Sequence, residues 1–284
     1  MLKSLVRGLR NKVLETLPLR SAIQLEFLLY HRRLPNLEHP RMFSEKIARR
    51  KLYDRDARMP AMADKILAKE HVRRLLGEEW VIPTIWSGDR LPPRDARRWP
   101  IPYVLKGAHG SGWNYFVLSE ADQDWDAIEE KANYWLSMVH ATHAREWLYA
   151  QMKPGLLVEP YLGTGPVAPA DYKFLVFGGR TAYIQVDLGR RQTHRQLFYD
   201  LNWKRQKIEY ICPWTDEEVP RPKSLAKMVE AANLLGTGFP FVRVDLYEID
   251  ERPRFGEMTF YPNSGQTAFR PKSVELEFGR LWPD

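Results

Sequence analysis

The chain has 284 residues, 44% apolar and 12% aromatic with ten Trp, a composition that folds around a core and excludes a disordered polymer. Its single cysteine, Cys212, excludes an internal disulfide framework and a cysteine-based metal cluster, and fits a reducing compartment. The net charge of +7 sits at the front: residues 1–75 hold 18 Lys/Arg against 8 Asp/Glu, which points to an anionic contact such as a nucleotide, an acidic polysaccharide, a membrane surface or nucleic acid.

No run approaches the roughly 18 uncharged apolar residues of a bilayer span, and the basic N-terminus lacks the apolar core of a secretory signal. Residues 2–17 place Leu2, Leu5, Val6, Leu9, Val13, Leu14 and Leu17 near helical spacing with Lys3, Arg7, Arg10 and Lys12 between them. This pattern predicts a basic amphipathic helix, either on a membrane surface or packed on its own domain. A second apolar helix over 20–33 breaks at Leu34-Pro35; 43–58 reads as a charged helix, and 62–76 as a helix ending at Gly77. A short strand (Val81–Ile85) and a proline-rich loop (Leu91–Pro100) follow. Tyr103–Lys106 reads as a buried strand feeding Gly107–Asn114, then come a strand (Tyr115–Leu118), a helix over 124–139 and a strand (Leu156–Glu159) ending at Pro160. Asp171–Phe177 and Thr181–Val186 form a hairpin across Gly178-Gly179, 223–236 a helix, and 241–247 and 255–260 two strands. Hairpins interleaved with helices predict an α/β or α+β class with largely antiparallel sheets.

The last two strands carry the densest chemistry. Arg243 and Asp245 stand at i and i+2, as do Glu257 and Thr259, so a hairpin across Glu251-Arg252-Pro253 collects all four on one face. That face is either an ordinary solvated one or a cation site. Two carboxylates held together need a cation between them; a few hard oxygen ligands suit Mg2+, and the arginine would face the phosphate it holds.

The loop Gly107–Asn114 follows a lysine-bearing strand and leads into another strand. It reads as a simple hairpin or as a flap whose backbone amides close over phosphate. Glu159 reads as a surface charge or as a hinge acid holding an adenine amino group. Asp171 and Lys173 share a strand face, as an ion pair or as contacts for ribose, phosphate or substrate. Asp64 caps a helix and Lys65 follows it. His194-Arg195 with Arg190 and Arg191 form a basic cluster, an anion receiver or a solvated loop. The histidine spacings give no zinc pair, and neither a Gly-x-Ser-x-Gly elbow nor a base partner for Cys212 is apparent.

The running order of these pieces resembles the ATP-grasp fold, and more closely the TupA-like ATP-grasp family associated with teichuronopeptide biosynthesis. The matching pieces are Phe43-Ser-Glu-Lys-Ile47, Asp64-Lys65, Val104-Leu-Lys106 with His109-Gly-Ser-Gly112, Val158-Glu-Pro-Tyr-Leu162, Asp171-Tyr-Lys-Phe174, Phe198-Tyr-Asp-Leu-Asn-Trp203, Arg243-Val-Asp-Leu-Tyr247 and Gly256-Glu-Met-Thr-Phe260. The resemblance implies an α+β fold of two subdomains gripping ATP: a basic helical region at 1–40, a catalytic domain at 41–270 with its flap subdomain at about 100–160, and a tail at 271–284. It implies that Lys65 and Lys106 contact phosphate under a flap containing Gly110, Ser111 and Gly112. Glu159 and Leu162 would contact adenine, Asp171 ribose or substrate, and Lys173 phosphate or substrate. Asp245 and Glu257 would hold Mg2+, with Arg243 toward the reacting phosphate. Many members carry Asn two residues after the metal Glu; here Thr259 stands there, so the third ligand is Thr259 or Asn263.

The implied activity is ADP-forming ligation of a carboxylate to an amine, on a uronic acid of a cell-surface polysaccharide or its precursor. It would take place in the cytoplasm, with possible contact at the inner membrane face through residues 2–17. A kinase acting on a glycan or small molecule would use the same ATP site. A nucleic-acid-binding reading of the basic front lacks interleaved aromatics and a motif.

Overall fold

The structure, a computed structural model, describes residues 14–138, 145–189 and 193–283. It consists of two antiparallel sheets, each with its own core. The smaller contains β1 (Trp86–Gly88), β2 (Tyr103–Gly107), β3 (Asn114–Val117) and β4 (Leu156–Pro160) in the order β1-β4-β2-β3. Alternation decides its faces. Tyr103, Leu105, Leu156 and Val158 pack with Ile128, Ala132 and Trp135 of the helix Trp125–Ser137, while Val104, Lys106 and Glu159 turn the other way. Asp124 caps that helix by accepting from the amides of Asp126 and Ala127.

The larger sheet holds β5 (Asp171–Phe177), β6 (Arg180–Leu188), β7 (Arg195–Tyr199), β8 (Arg205–Gln206), β9 (Phe241–Ile249) and β10 (Arg252–Thr259), ordered β10-β9-β5-β6-β7-β8. Phe174, Val176, Ile184, Val242 and Val244 belong to its buried core, with Met228, Ala232 and Leu235 of the helix Leu225–Leu235. Lys173 pairs in register with Gln185 and Asp245, and Asp171 with Asp187 and Tyr247, so a polar row crosses β5, β6 and β9.

We number the helices α1 (Leu19–His31), α2 (Phe43–Tyr53), α3 (Met59–Ala63), α4 (Lys65–Leu76), α5 (Trp125–Ser137), α6 (Leu225–Leu235) and α7 (Lys272–Leu281). The helix expected over 62–76 is interrupted. Asp64 adopts an extended ψ of 125° and its carboxylate accepts from the amides of Ile66 and Leu67, so α4 begins afresh at Lys65. The helix expected over 43–58 stops at Tyr53. The strand expected over 81–85 forms instead at Trp86–Gly88, because Pro83 removes a ladder donor and only Val81 makes a bridge, to Phe255. The hairpin of β9 and β10 turns at Asp250 and Glu251, whose φ values are 50° and 62°, earlier than the expected turn; Arg252 and Pro253 are already in β10. Residues 271–284, expected as a tail, include α7, which packs on α2 and buries Phe278 and Trp282 against Phe43 and Phe241.

Of the basic helix expected over 2–17, residues 2–13 lie outside the described residues, as do Arg190 and Arg191 of the basic cluster. No helix among the described residues is long and apolar enough to cross a membrane.

Candidate active site

The two sheets face each other across a cavity of about 340 Å3. Ile82, Val104, Phe116, Tyr161 and Leu162 give it an apolar end, where the rings of Phe116 and Tyr161 meet edge to face at 5.9 Å. Its polar end is lined by Lys65, Lys106, Glu159, Asp171, Asp245 and Glu257, and Ser111 and Gly112 of the flap form part of the rim. A long apolar slot ending in cations and carboxylates has the polarity of a nucleotide.

On the small-sheet side, Lys106 of β2 and Glu159 of β4 stand diagonally across paired strands. Lys106 Nζ lies 2.5 Å from Glu159 Oε2, and Lys69 Nζ from α4 lies 2.5 Å from Oε1 and 2.7 Å from Thr84 Oγ1. Burial pushes the Glu159 carboxyl up, but Lys106 and Lys69 together hold it below its ordinary value. Lys69 itself is lowered by burial despite Glu159.

Lys65, at the start of α4, is also lowered by burial; its Nζ donates to the carbonyl of Gly110, 2.5 Å away. The flap depends on glycine at that point, because a Cβ on Gly110 would sit 2.5 Å from the Trp113 ring. At the flap base, His109 is buried and fully used: Nε2 lies 3.1 Å from the Trp135 carbonyl, and Nδ1 accepts from the Gly155 amide at 3.2 Å.

The opposite wall is the face of β5, β9 and β10. A bulge at Gly256 brings Glu257 directly opposite Asp245, and Thr259 opposite Arg243. A Cβ at Gly256 would lie 2.9 Å from the Asp245 carbonyl oxygen, so the close approach of these strands requires glycine. Arg243 donates through Nε and Nη2 to the two Asp245 oxygens at 2.7 Å, to Thr259 Oγ1 at 3.0 Å and to Glu257 Oε1 at 3.3 Å. Lys173, 1% exposed, bridges Asp171 and Asp245. Burial would neutralise Lys173, but Asp171 and Asp245 raise it above the ordinary lysine value; Asp245 and Glu257 likewise raise Arg243.

The expected residues therefore divide. Lys65, Lys106, Ser111, Gly112, Glu159, Leu162, Asp171, Asp245 and Glu257 line one cavity. Arg243 and Thr259 stand behind Asp245 and Glu257, with Thr259 Oγ1 3.3 Å from Glu257 Oε1. Lys173 is the cation between two carboxylates beneath the surface. Asn263 is exposed and donates to Thr267 Oγ1 at 2.6 Å; Thr259 is the one of the pair that shares the face of Glu257. Among the described residues no three His, Cys, Asp or Glu side chains cluster as a metal cage. Two neighbouring carboxylates with a hydroxyl are hard oxygen donors, and they fit Mg2+, which takes its other ligands from water and phosphate.

His194 does not line the cavity but lies 3.4 Å from Asp187, the strand neighbour of Asp171, and Arg195 pairs with Glu217 at 2.7 Å. Burial pushes the Cys212 thiol up, and its Sγ donates to the His194 carbonyl rather than to a base.

Sequence reasoning missed Lys69, although its position four residues after Lys65 places both on one helix face. It also missed Glu146 and Tyr149, which no motif marks. Tyr149 is buried where Glu146 and Glu257 both act on it, and burial raises Glu146 to about 7.

The TupA-like ATP-grasp family model matches residues 45–282. No curated protein matches the chain in sequence. Among solved structures, D-alanine–D-alanine ligase from Bacillus anthracis is 16% identical, with 77% of this chain aligned to 63% of that one at a TM-score of 0.46. The same enzyme complexed with ATP gives 15% identity over 78% of this chain and 63% of that one at 0.44. An L-amino acid ligase from Bacillus licheniformis is 11% identical over 73% of this chain and 45% of that one at 0.46. The chain thus spans less than two thirds of the length of these proteins.

Proposed function

The chain belongs to the TupA-like ATP-grasp family, and from that premise we propose that it is an Mg-ATP-dependent, ADP-forming carboxylate–amine ligase. The observation that carries this reading is one cleft with Lys65 and Lys106 on one wall and the Arg243–Asp245–Glu257 group on the other.

In this reading the adenine lies against Val104, Phe116 and Leu162, with Glu159 at the hinge. Lys65 and Lys106 hold the phosphates, and the flap closes over them. Asp245 and Glu257, with Thr259, would hold Mg2+, which offsets phosphate charge when bound. Arg243 is oriented by both Asp245 oxygens toward the reacting phosphate. Lys173 bridges Asp171 and Asp245 and so fixes the two carboxylates side by side.

A substrate carboxylate oxygen attacks the γ-phosphorus, the bond to the β–γ bridging oxygen breaks, and ADP leaves with that electron pair. The amine then attacks the acyl carbon, phosphate departs, and the amine loses a proton. The protein supplies positioning and electrostatics. A closed flap keeps water from the acylphosphate. No protein nucleophile is required, in keeping with the absence of an activated one among the described residues.

The family association with cell-surface polymers and the basic front of the chain favour a uronic acid, on a polysaccharide or its precursor, as the carboxylate, with an amino acid or amine as the donor. Cytoplasmic ATP, and residues 2–17 against the membrane surface, complete the proposal. The experiment is ADP release from Mg-ATP with pools of uronic acids and amino acids, alone and combined. Release that needs both supports the ligase, and Lys106→Ala and Glu257→Ala abolish it in folded protein. Release with a hydroxylated acceptor and no amine would replace the ligase by a kinase. Turnover at the parental rate in both variants would remove the site.

A further inference from the structure

At the far end of β9, roughly 13 Å along the strand from Asp245 at about 3.3 Å per residue, the protein carries a second recess. A cavity of about 510 Å3 and another of about 350 Å3 share Pro40, Arg41, Lys46, Trp282 and Pro283, so they form one continuous groove between α2, α7 and the loop before α2. Its cations are Arg41, Lys46, Arg49, Arg50 and Arg280. The two carboxylates on its walls are already engaged, Glu38 with Arg20 at 2.5 Å and Asp54 with Arg50 at 3.2 Å. The exposed side chains of Arg41 and Arg280 have no partner among the described residues. The groove therefore holds a surplus of positive charge.

Arg50 supplies an independent sign. It is 3% exposed, and Nη1 donates to the carbonyls of Phe241 and Phe260, yet its Nη2 is buried without a partner. A buried donor left unpaired is destabilising, the more so when charged. Burial also pushes Arg50 down to about 10. An anion in the groove would offset the desolvation of this charge.

We propose that this groove binds a run of carboxylates on an acidic saccharide chain. Guanidinium forks match carboxylates spaced along a polymer. Stacked nucleobases fit poorly, because Trp282 is buried and already packs against Phe241 at 4.8 Å and Arg50 at 4.3 Å. The identification of that chain as the ligase acceptor rests on the proposed function; binding to the groove does not.

The test is calorimetric titration of a galacturonic acid hexamer, without ATP, into the full chain and into the double variant Arg41→Glu/Arg280→Glu. The hexamer binds the parent, and the double variant binds at least tenfold more weakly while keeping its melting temperature and ATP affinity. Equal binding by both proteins overturns the proposal. Tripolyphosphate or a twelve-nucleotide single-stranded DNA binding more tightly than the hexamer overturns the choice of ligand. Hexamer binding that fails alongside intact amine-dependent ADP release removes the groove alone. Intact hexamer binding with no ADP release removes the ligase alone.

Discussion

Lys69→Met tests the pairing of Lys69 with Glu159, which Lys106 also holds. Lys69 and Glu159 are 7% and 5% exposed at their side chains and lie 2.5 Å apart. Breaking a buried pair by removing one partner costs about 3–5 kcal/mol. Lys106 remains as a counter-ion, so the lower end, about 3 kcal/mol, is expected, a large share of the roughly 5–15 kcal/mol that holds a domain together. The sign also depends on pH. In the parent, Glu159 is held below its ordinary value, so its stabilisation is present above that value and is lost as pH falls through the folded one. In the variant, burial dominates and lifts the folded value above the unfolded one, so relative stability is regained as pH falls. The gap between the two proteins, read by urea unfolding, is therefore widest at pH 8 and narrows toward pH 5. With Glu159 leaning on Lys106 alone, ATP affinity falls roughly tenfold, equivalent to ~1.4 kcal/mol. Unchanged stability at pH 8, or a gap that does not narrow, refutes the argument.

Three further perturbations probe other parts of the site. Glu146, buried near Lys51, Ser264, Glu26 and Tyr149, has a folded value of about 7 against 4.5. Its burden on stability is absent at low pH and full above pH 7, so Glu146→Gln gains up to about 3 kcal/mol at pH 8 and flattens the slope of unfolding free energy between pH 5 and 7. Gly256→Ala pushes a Cβ to 2.9 Å from the Asp245 carbonyl oxygen and 3.1 Å from Tyr247 Cε2. It costs about 1–3 kcal/mol of stability and lowers kcat for ADP release by misaligning Glu257; calorimetry and a turnover assay measure the two. Lys173→Met leaves Asp171 and Asp245 without their shared cation and lowers the unfolding free energy by about 3–5 kcal/mol in urea at pH 8.

Much of this site could be read from sequence because its residues fall on regular strands. Period-two spacing put Arg243 with Asp245, Glu257 with Thr259 and Asp171 with Lys173, and each pair shares a face in the structure. The bulge at Gly256 was not readable: register across a hairpin depends on where the extra residue falls, and the turn itself lies at Asp250–Glu251 rather than around Pro253. The α3–α4 break was only half readable: Asp64 read as a cap, yet the apolar spacing of 62–76 read as one unbroken helix. The contact of Lys65 Nζ with the Gly110 carbonyl was not readable, because it depends on how the start of α4 meets the flap. Residues 271–284 looked like a tail because burial of Phe278 and Trp282 depends on distant partners, Phe43 on α2 and Phe241 at the start of β9.

The charges of the nucleotide cleft have a consequence for encounter. Lys65, Lys69, Lys106, Lys173 and Arg243 face Glu159, Asp171, Asp245 and Glu257, five cations against four carboxylates. Such a cleft projects little field into solvent, so it does not draw polyanions from a distance. Long-range attraction instead comes from the surplus of Arg and Lys on α2 and the loop before it. The arrival rate of nucleotide should therefore vary little with ionic strength, whereas that of an acidic polymer should fall steeply as salt rises. The molecule separates the recruitment of a large charged partner from the admission of a small one by placing them at different points along β9.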